Sequence, residues 1–213
     1  MPNYEPAGPW QQLLRTALEL VAAAGQAANQ PLSWSFGGGT VLMLHINHRR
    51  SKDIDIFLED SQLLGFFNPR ISDSALRVTP DFEEGAGFVK LFLAPGEIDV
   101  VVAPLVTPDP VQTASLLDHE IALERPAEII AKKMRYRGDR VTARDLFDLA
   151  AVATSMPEEI EIARPFMQKN AKVFVAQLNQ RREILQSEFE AIDRLDFDLG
   201  YDDCVRIAQG VLA

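Results

Sequence analysis

Two carboxylates stand one residue apart in the run Ser51-Lys52-Asp53-Ile54-Asp55-Ile56-Phe57. A strand alternates its side chains, so Asp53 and Asp55 project to one face, while Ile54, Ile56 and Phe57 anchor the strand in apolar surroundings. Two such charges ~5 Å apart at an effective dielectric near 20 repel by roughly 3 kcal/mol. A divalent cation between them turns that repulsion into binding, and hard oxygen donors suit Mg²⁺ or Mn²⁺. The competing reading is an edge strand whose charges face water to discourage aggregation.

Upstream, Gly37-Gly38-Gly39-Thr40 leads into a short apolar stretch. Glycine lets backbone approach a phosphate closely, and a helix N-terminus offers free N–H donors. Gly38, Gly39 and Thr40 are therefore candidates to hold phosphate groups, with Arg49 and Ser51 as further donors. An ordinary tight strand-to-helix turn is the alternative.

A third acid, Asp99, interrupts the β-prone run Ile98-Asp99-Val100-Val101-Val102. On a neighbouring strand it would join Asp53 and Asp55 as a metal ligand and help deprotonate an acceptor hydroxyl. Glu97 has the same parity and is its substitute. The alternative is an outward-facing strand residue after a turn. A second acid pair, Asp196 and Asp198, has no glycine turn before it and reads as solvated surface. His45 and His48 are three apart on an expected helix, a spacing that can bind metal. No third nitrogen or sulfur ligand is near, so both read as structural hydrogen-bonding groups.

Charge is unevenly spread. Lys132 to Arg144 holds six basic residues and one acidic, a net of +5 in a chain of net charge −10. That local block suits a phosphate-holding site better than a nucleic-acid wrapper, although a solvated helix face with a cationic C-terminal turn reads similarly. Lys132 and Lys133 are neighbours and point ~100° apart on a helix. The surface reading applies more to Lys132. Asp145 and Asp148 share one helical face, with Asp148 a structural partner for Arg144 or Arg140.

These blocks together resemble a known family. Gly38, Gly39 and Thr40, then His48, Arg49, Ser51, Asp53, Asp55 and Phe57, match the signature of AbiEii-like nucleotidyltransferases, a branch of the polymerase-beta-like superfamily. Lys133, Arg144, Asp145 and Asp148 match the family's later block. Together they place roughly residues 30–150 in it; the final third of the chain matches nothing diagnostic. The resemblance implies that Lys133 contacts the triphosphate, with Arg144 beside it. It also implies that Asp145 is required, orienting Lys133 or the nucleotide.

The elements that must position these residues follow from pattern and punctuation. Pro9 to about Ala28 reads as an amphipathic helix, Leu32–Phe36 as a strand, and the residues from Thr40 as a helix. Asp53–Leu58 reads as a strand. Residues 59–80 are ambiguous. Residues 87–94 and 98–103 suggest a hairpin around Pro95-Gly96-Glu97. Pro104, Pro108 and Pro110 break regular structure, and helices follow from Pro126, with breaks near Gly138, Met156-Pro157 and residues 193–203. Phe166, Val173, Phe174, Leu178, Leu185 and Phe189 line the core face of one or two C-terminal helices. The pattern predicts an α+β fold: a small mixed sheet with flanking helices over residues 1–125, then a helical domain over 126–213 that closes a cleft.

Nearly half of the 213 residues are hydrophobic, enough for a sizeable core. Cys204 is the single cysteine, so no internal disulfide or cysteine-based zinc site can form. The opening MPNYEPAGPW lacks the features of a signal peptide, and no apolar run approaches ~18 residues, so a cytoplasmic protein is expected.

The leading reading is a metal-dependent nucleotidyltransferase using a nucleoside triphosphate (NTP). The resemblance implies an RNA acceptor, notably tRNA, and a cognate antitoxin. Arg135, Arg137 and Arg140 are the dense cationic supply for an RNA path. A cationic small-molecule acceptor is the second reading, favoured by a net charge of −4 from residue 156 onward. A binding protein with a dead site is the third, opposed by Asp53, Asp55, Lys133 and Asp145 being intact.

Overall fold

Trp10, Leu13, Leu14, Ala17, Leu20 and Ala24 recur at helical spacing, and they form the buried face of helix α1, Pro9–Ala28. The helix stops at Asn29, whose backbone is left-handed with φ 53°. The computed structural model describes residues 8–213, and the opening segment read above for the lack of a leader lies largely outside them. Strand β1 (Trp34–Gly37) runs directly into helix α2 (Gly38–Ile46), and strand β2 (Ile54–Leu58) returns beside β1.

Five more strands complete one sheet: β3 (Phe82–Gly85), β4 (Phe88–Leu93), β5 (Gly96–Val102), β6 (Val111–Leu116) and β7 (His119–Glu124). Their order is β3-β4-β5-β2-β1-β7-β6. β2 pairs parallel to β5 and β1 parallel to β7, while the remaining pairs are antiparallel. β2 is therefore central, which rules out the edge-strand reading of Asp53 and Asp55. Its buried residues are Ile54, Ile56 and Leu58. Phe57, expected among the apolar anchors, instead alternates onto the face of Asp55.

The ambiguous residues 59–80 form a 3₁₀ segment, Ser61–Phe67, and helix α3, Asp73–Val78. The β4–β5 hairpin is present, closed by Ala94 and Pro95 between the paired Leu93 and Gly96. The β6–β7 hairpin was not legible in the sequence. Its turn residues, Leu117 and Asp118, have φ 52° and 67°, a conformation usually signalled by glycine or asparagine.

Helices α4 (Pro126–Arg137), α5 (Ala143–Ser155), α6 (Pro157–Met167), α7 (Ala171–Gln180), α8 (Arg182–Glu190) and α9 (Tyr201–Leu212) follow. The residues from Phe166 to Phe189 thus fall on three helices, α6, α7 and α8, not one or two. Phe174, Leu178, Leu185 and Phe189 are buried as expected. Phe166 is partly buried, and Val173 is 44% exposed and outside the core.

The helical half is stitched to the loop before β2. Arg50 N–H donates to the Asp193 carbonyl (2.8 Å), and Leu195 and Asp196 N–H donate to the carbonyls of His48 and Asn47 (2.9 Å each). Asp196 also accepts from Asn47 Nδ2 at 2.8 Å, while Asp198 lies 85% exposed against Arg194. The second acid pair is thus surface, as expected, in a segment that braces the site loop.

Candidate active site

The parallel β2–β5 register sets Asp55 directly opposite Asp99. Asp53 precedes β2, and its Oδ1 accepts from the Glu97 N–H at 3.1 Å. Burial and the charge of Asp99 push the Asp55 carboxyl up to about 7, with Asp53 adding to the effect. Asp99 rises to about 6, chiefly through burial, while Lys90 holds it down. Asp99 Oδ1 is buried without a hydrogen-bond partner, and its Oδ2 lies 3.4 Å from Lys90 Nζ. Lys90 also pairs with Glu97 at 2.8 Å, so the substitute acid already has a counter-ion. The arrangement sets Asp55 beside Asp99, with the charge of Asp53 near enough to raise both, and concentrates repulsion there. Among the described residues no group of three or more His, Cys, Asp or Glu side chains is already placed to hold a metal ion.

The glycine turn is shaped around the same acids. Gly38 has φ +73°, and a Cβ there would lie 2.0 Å from Asp55 Oδ2. Only glycine meets both demands. A Cβ on Gly39 would meet Arg49 Nη2 at 2.6 Å and Ser51 Oγ at 3.1 Å. Thr40 is fully buried; its hydroxyl donates to the Asp53 carbonyl (2.6 Å) and lies 3.0 Å from Ser51 Oγ. Thr40 therefore fixes the turn to the loop before β2.

Cations gather on the other side. Arg49 donates through Nε to Asp148 Oδ1 (2.6 Å) and through Nη2 to Oδ2 (2.8 Å). Lys133 Nζ lies 2.9 Å from Asp145 Oδ1 and 3.1 Å from Asp148 Oδ2. Burial pulls the Lys133 pKa down, but Asp145 and Asp148 outweigh it and raise it. Asp145 is also clamped at the start of α5. Its N–H donates to Thr142 Oγ1 (3.2 Å), and that hydroxyl lies 2.7 Å from Asp145 Oδ2.

Three expectations are corrected here. Asp148 pairs with Arg49, His48 and Lys133 rather than with Arg144 or Arg140. His45 and His48 do not share a helix, because α2 ends at Ile46 and Asn47 turns the chain with φ 47°. His48 Nε2–H donates to Asp148 Oδ1 at 2.8 Å, and burial keeps its pKa low. Lys132 is not a surface lysine: it is 4% exposed and pairs with Glu124 at 2.6 Å.

A cavity of about 290 Å³ opens beside Asp53, lined in part by Trp10, Arg50, Ser51, Lys52 and Arg144. Trp10, Arg50 and Lys52 were absent from the expected site. Arg50 and Lys52 flank Ser51 in the signature run, and that adjacency was the available signal. Glu124 and Lys132 were also missed. Glu124 carried no motif, and Lys132 was overshadowed by its neighbour.

The profile of the family described as nucleotidyl transferase AbiEii toxin, type IV toxin–antitoxin system, matches residues 22–208. Among solved structures, MenT4, a nucleotidyltransferase toxin of Mycobacterium tuberculosis H37Rv, is similar, with a TM-score of 0.52 and 17% identity. That match covers 97% of this chain and 85% of MenT4. JHP933 from Helicobacter pylori is similar with a TM-score of 0.51 and 15% identity, over 98% of this chain and 92% of JHP933. Identities this low show a shared fold. Among curated proteins none matches the sequence significantly.

Proposed function

Because the chain belongs to the AbiEii family of nucleotidyl transferase toxins, we propose that it transfers a nucleoside monophosphate from an NTP to a hydroxyl of a tRNA-like RNA. The observation that carries this reading is the facing pair Asp55 and Asp99 beside the Gly38-Gly39 turn, with Lys133 and Arg49 close by. In the reaction the acceptor oxygen bonds to the α-phosphorus, the bond to the leaving oxygen breaks, and pyrophosphate departs with its electron pair. Asp99 takes the hydroxyl proton. Backbone donors of Gly38 and Gly39, with Lys133, Arg49, Ser51 and Arg144, hold the triphosphate.

The acids fit a divalent cation: their donors are hard oxygens, Asp55 and Asp99 repel, and Asp99 Oδ1 is orphaned. Asp53, Asp55 and Asp99 would hold Mg²⁺ or Mn²⁺, which when bound neutralises charge on the entering and leaving oxygens. We assign residues 1–125 to the catalytic half and 126–213 to the half that closes over it. No described helix is long and apolar enough to cross a membrane. A cytoplasmic location, where NTP and tRNA are found, and a cognate antitoxin complete the proposal.

An RNA acceptor is preferred over a small cation because Arg50, Lys52 and Arg144 line the cavity beside Asp53, against two acids, Asp53 and Asp193. The acidic C-terminal half keeps the cationic acceptor as the second reading. The test is incubation with Mg²⁺ and each labelled NTP, with and without total tRNA. Label transferred to tRNA supports the proposal. Label that moves only to an added aminoglycoside selects the second reading, and no transfer to any acceptor overturns both.

A further inference from the structure

Lys132 is buried and held by several partners beside the site, and no step of the proposed reaction uses it. Its Nζ lies 2.6 Å from Glu124 Oε1 on β7, 3.4 Å from the Ala103 carbonyl after β5, and 4.2 Å from the centre of the Phe57 ring on β2; Glu128 Oε1, one turn earlier on α4, is 3.6 Å away and is held separately by Val106 and Thr107. Glu124 is fully buried and also accepts from Ser35 Oγ on β1 at 2.8 Å. Its second oxygen, Oε2, has no hydrogen-bond partner and lies against Gly37, where an added Cβ would be 2.3 Å away. Gly37 is in turn the register partner of Asp55. One residue of α4 is thus fastened to β7, to the Phe57 ring on β2 and to the residue after β5, and through Glu124 to β1, next to the glycine turn.

Lys133, the next residue, points to α5 and the carboxylates of Asp145 and Asp148. A buried ion pair is weak support for stability, since apolar side chains of similar volume often serve as well. What it imposes is one angular setting of the helix on the sheet. We propose that Lys132 and Glu124 are a positioning pair: they fix the rotation and height of α4 so that Lys133 stands at the triphosphate side of the acids. This rests on the nucleotidyltransferase reading.

Lys132→Met alone would leave Glu124 buried and unpaired, so the test uses the neutral pair Lys132→Met/Glu124→Gln. Two measurements are made: a crystal structure of this variant, and its affinity for a non-hydrolysable NTP in both the wild-type and the Lys133→Ala backgrounds. The expected structure has Lys133 Nζ displaced by about 1 Å or more from Asp145 and Asp148. The expected affinity is at least about tenfold lower with Lys133 present and changes less than about twofold in the Lys133→Ala background, the non-additivity of a residue acting through its neighbour. Lys133 unmoved, additive effects, or a variant that does not fold would each overturn the proposal. Wild-type protein that binds NTP but transfers nothing would sink the transferase reading and leave this cycle intact. Wild-type protein that binds no NTP would also sink that reading, and the crystal structure would still decide the pair.

Discussion

Arg49 and Asp148 lie 99 residues apart in sequence and meet through two parallel hydrogen bonds, at 2.6 and 2.8 Å, in the interior. The two-point contact ties the loop before β2 to α5, and Lys133 and His48 share the same carboxylate. A single acid thereby joins the sheet half to the helical half at the edge of the site.

This pairing carries a pH signature. Burial pushes the Asp148 carboxyl up, but Arg49, Lys133 and His48 outweigh it and hold it well below the usual carboxylate range. A carboxyl whose folded pKa is depressed stabilises the protein above its unfolded value, near 3.9, and loses that contribution as pH falls through the folded value. Asp148→Asn should therefore cost about 3–5 kcal/mol at pH 7, the range for breaking a buried pair. In urea unfolding, the gap to wild type should be constant from pH 8 to 5 and narrow below pH 4. A gap of the same size at pH 3 and pH 7 would show that Asp148 does not hold its partners as a carboxylate.

Asp55 has the opposite sign. Its folded pKa, about 7, stands above the ordinary carboxylate value. The folded state keeps a proton that the unfolded chain has released, so stability falls as pH rises from about 4 to about 7. Asp55→Asn should raise the melting temperature at pH 8 in metal-free buffer, because it removes a buried charge and its repulsion from Asp99, the repulsion alone being about 3 kcal/mol for two like charges ~5 Å apart. Near pH 4 the two proteins should melt together. The same variant should transfer no nucleotide, and wild-type activity in it would refute the enzymatic reading.

Much of the site was legible because its residues lie in two short runs whose spacing is itself the signal. Strand parity placed Asp55 on the site face, and the β-prone run around Asp99 put that acid opposite it. Helical spacing brought Asp145 and Asp148 to one lysine. What escaped the sequence depends on long-range pairing. Two partners of Asp148, His48 and Arg49, come from a loop nearly a hundred residues earlier, and Lys132 finds its closest counter-ion, Glu124, on β7. The β6–β7 hairpin was hidden by a turn built from Leu117 and Asp118, and Val173 by a helix whose apolar side partly faces water.

The acceptor question turns on salt. Each phosphate deprived of its neutralising cation should lower the slope of log affinity against log salt by about 0.9 for duplex nucleic acid and about 0.7 for single strands. Replacing Arg135, Arg137 and Arg140 with neutral residues should flatten the salt dependence of tRNA binding by two to three such steps, roughly. Curves that superimpose on wild type would count against an RNA path along α4 and favour the small cationic acceptor.

Asn47 and Asp196 touch across 149 residues of chain. The loop that precedes the candidate acids receives backbone partners from a segment made up to 149 residues later. While the polypeptide is still emerging from the ribosome, β2 can pair with β1, but the loop before it lacks the brace from residues 193–196. The loop before the candidate acids is therefore fully braced only once residues 193–196 have been made, long after the acids themselves.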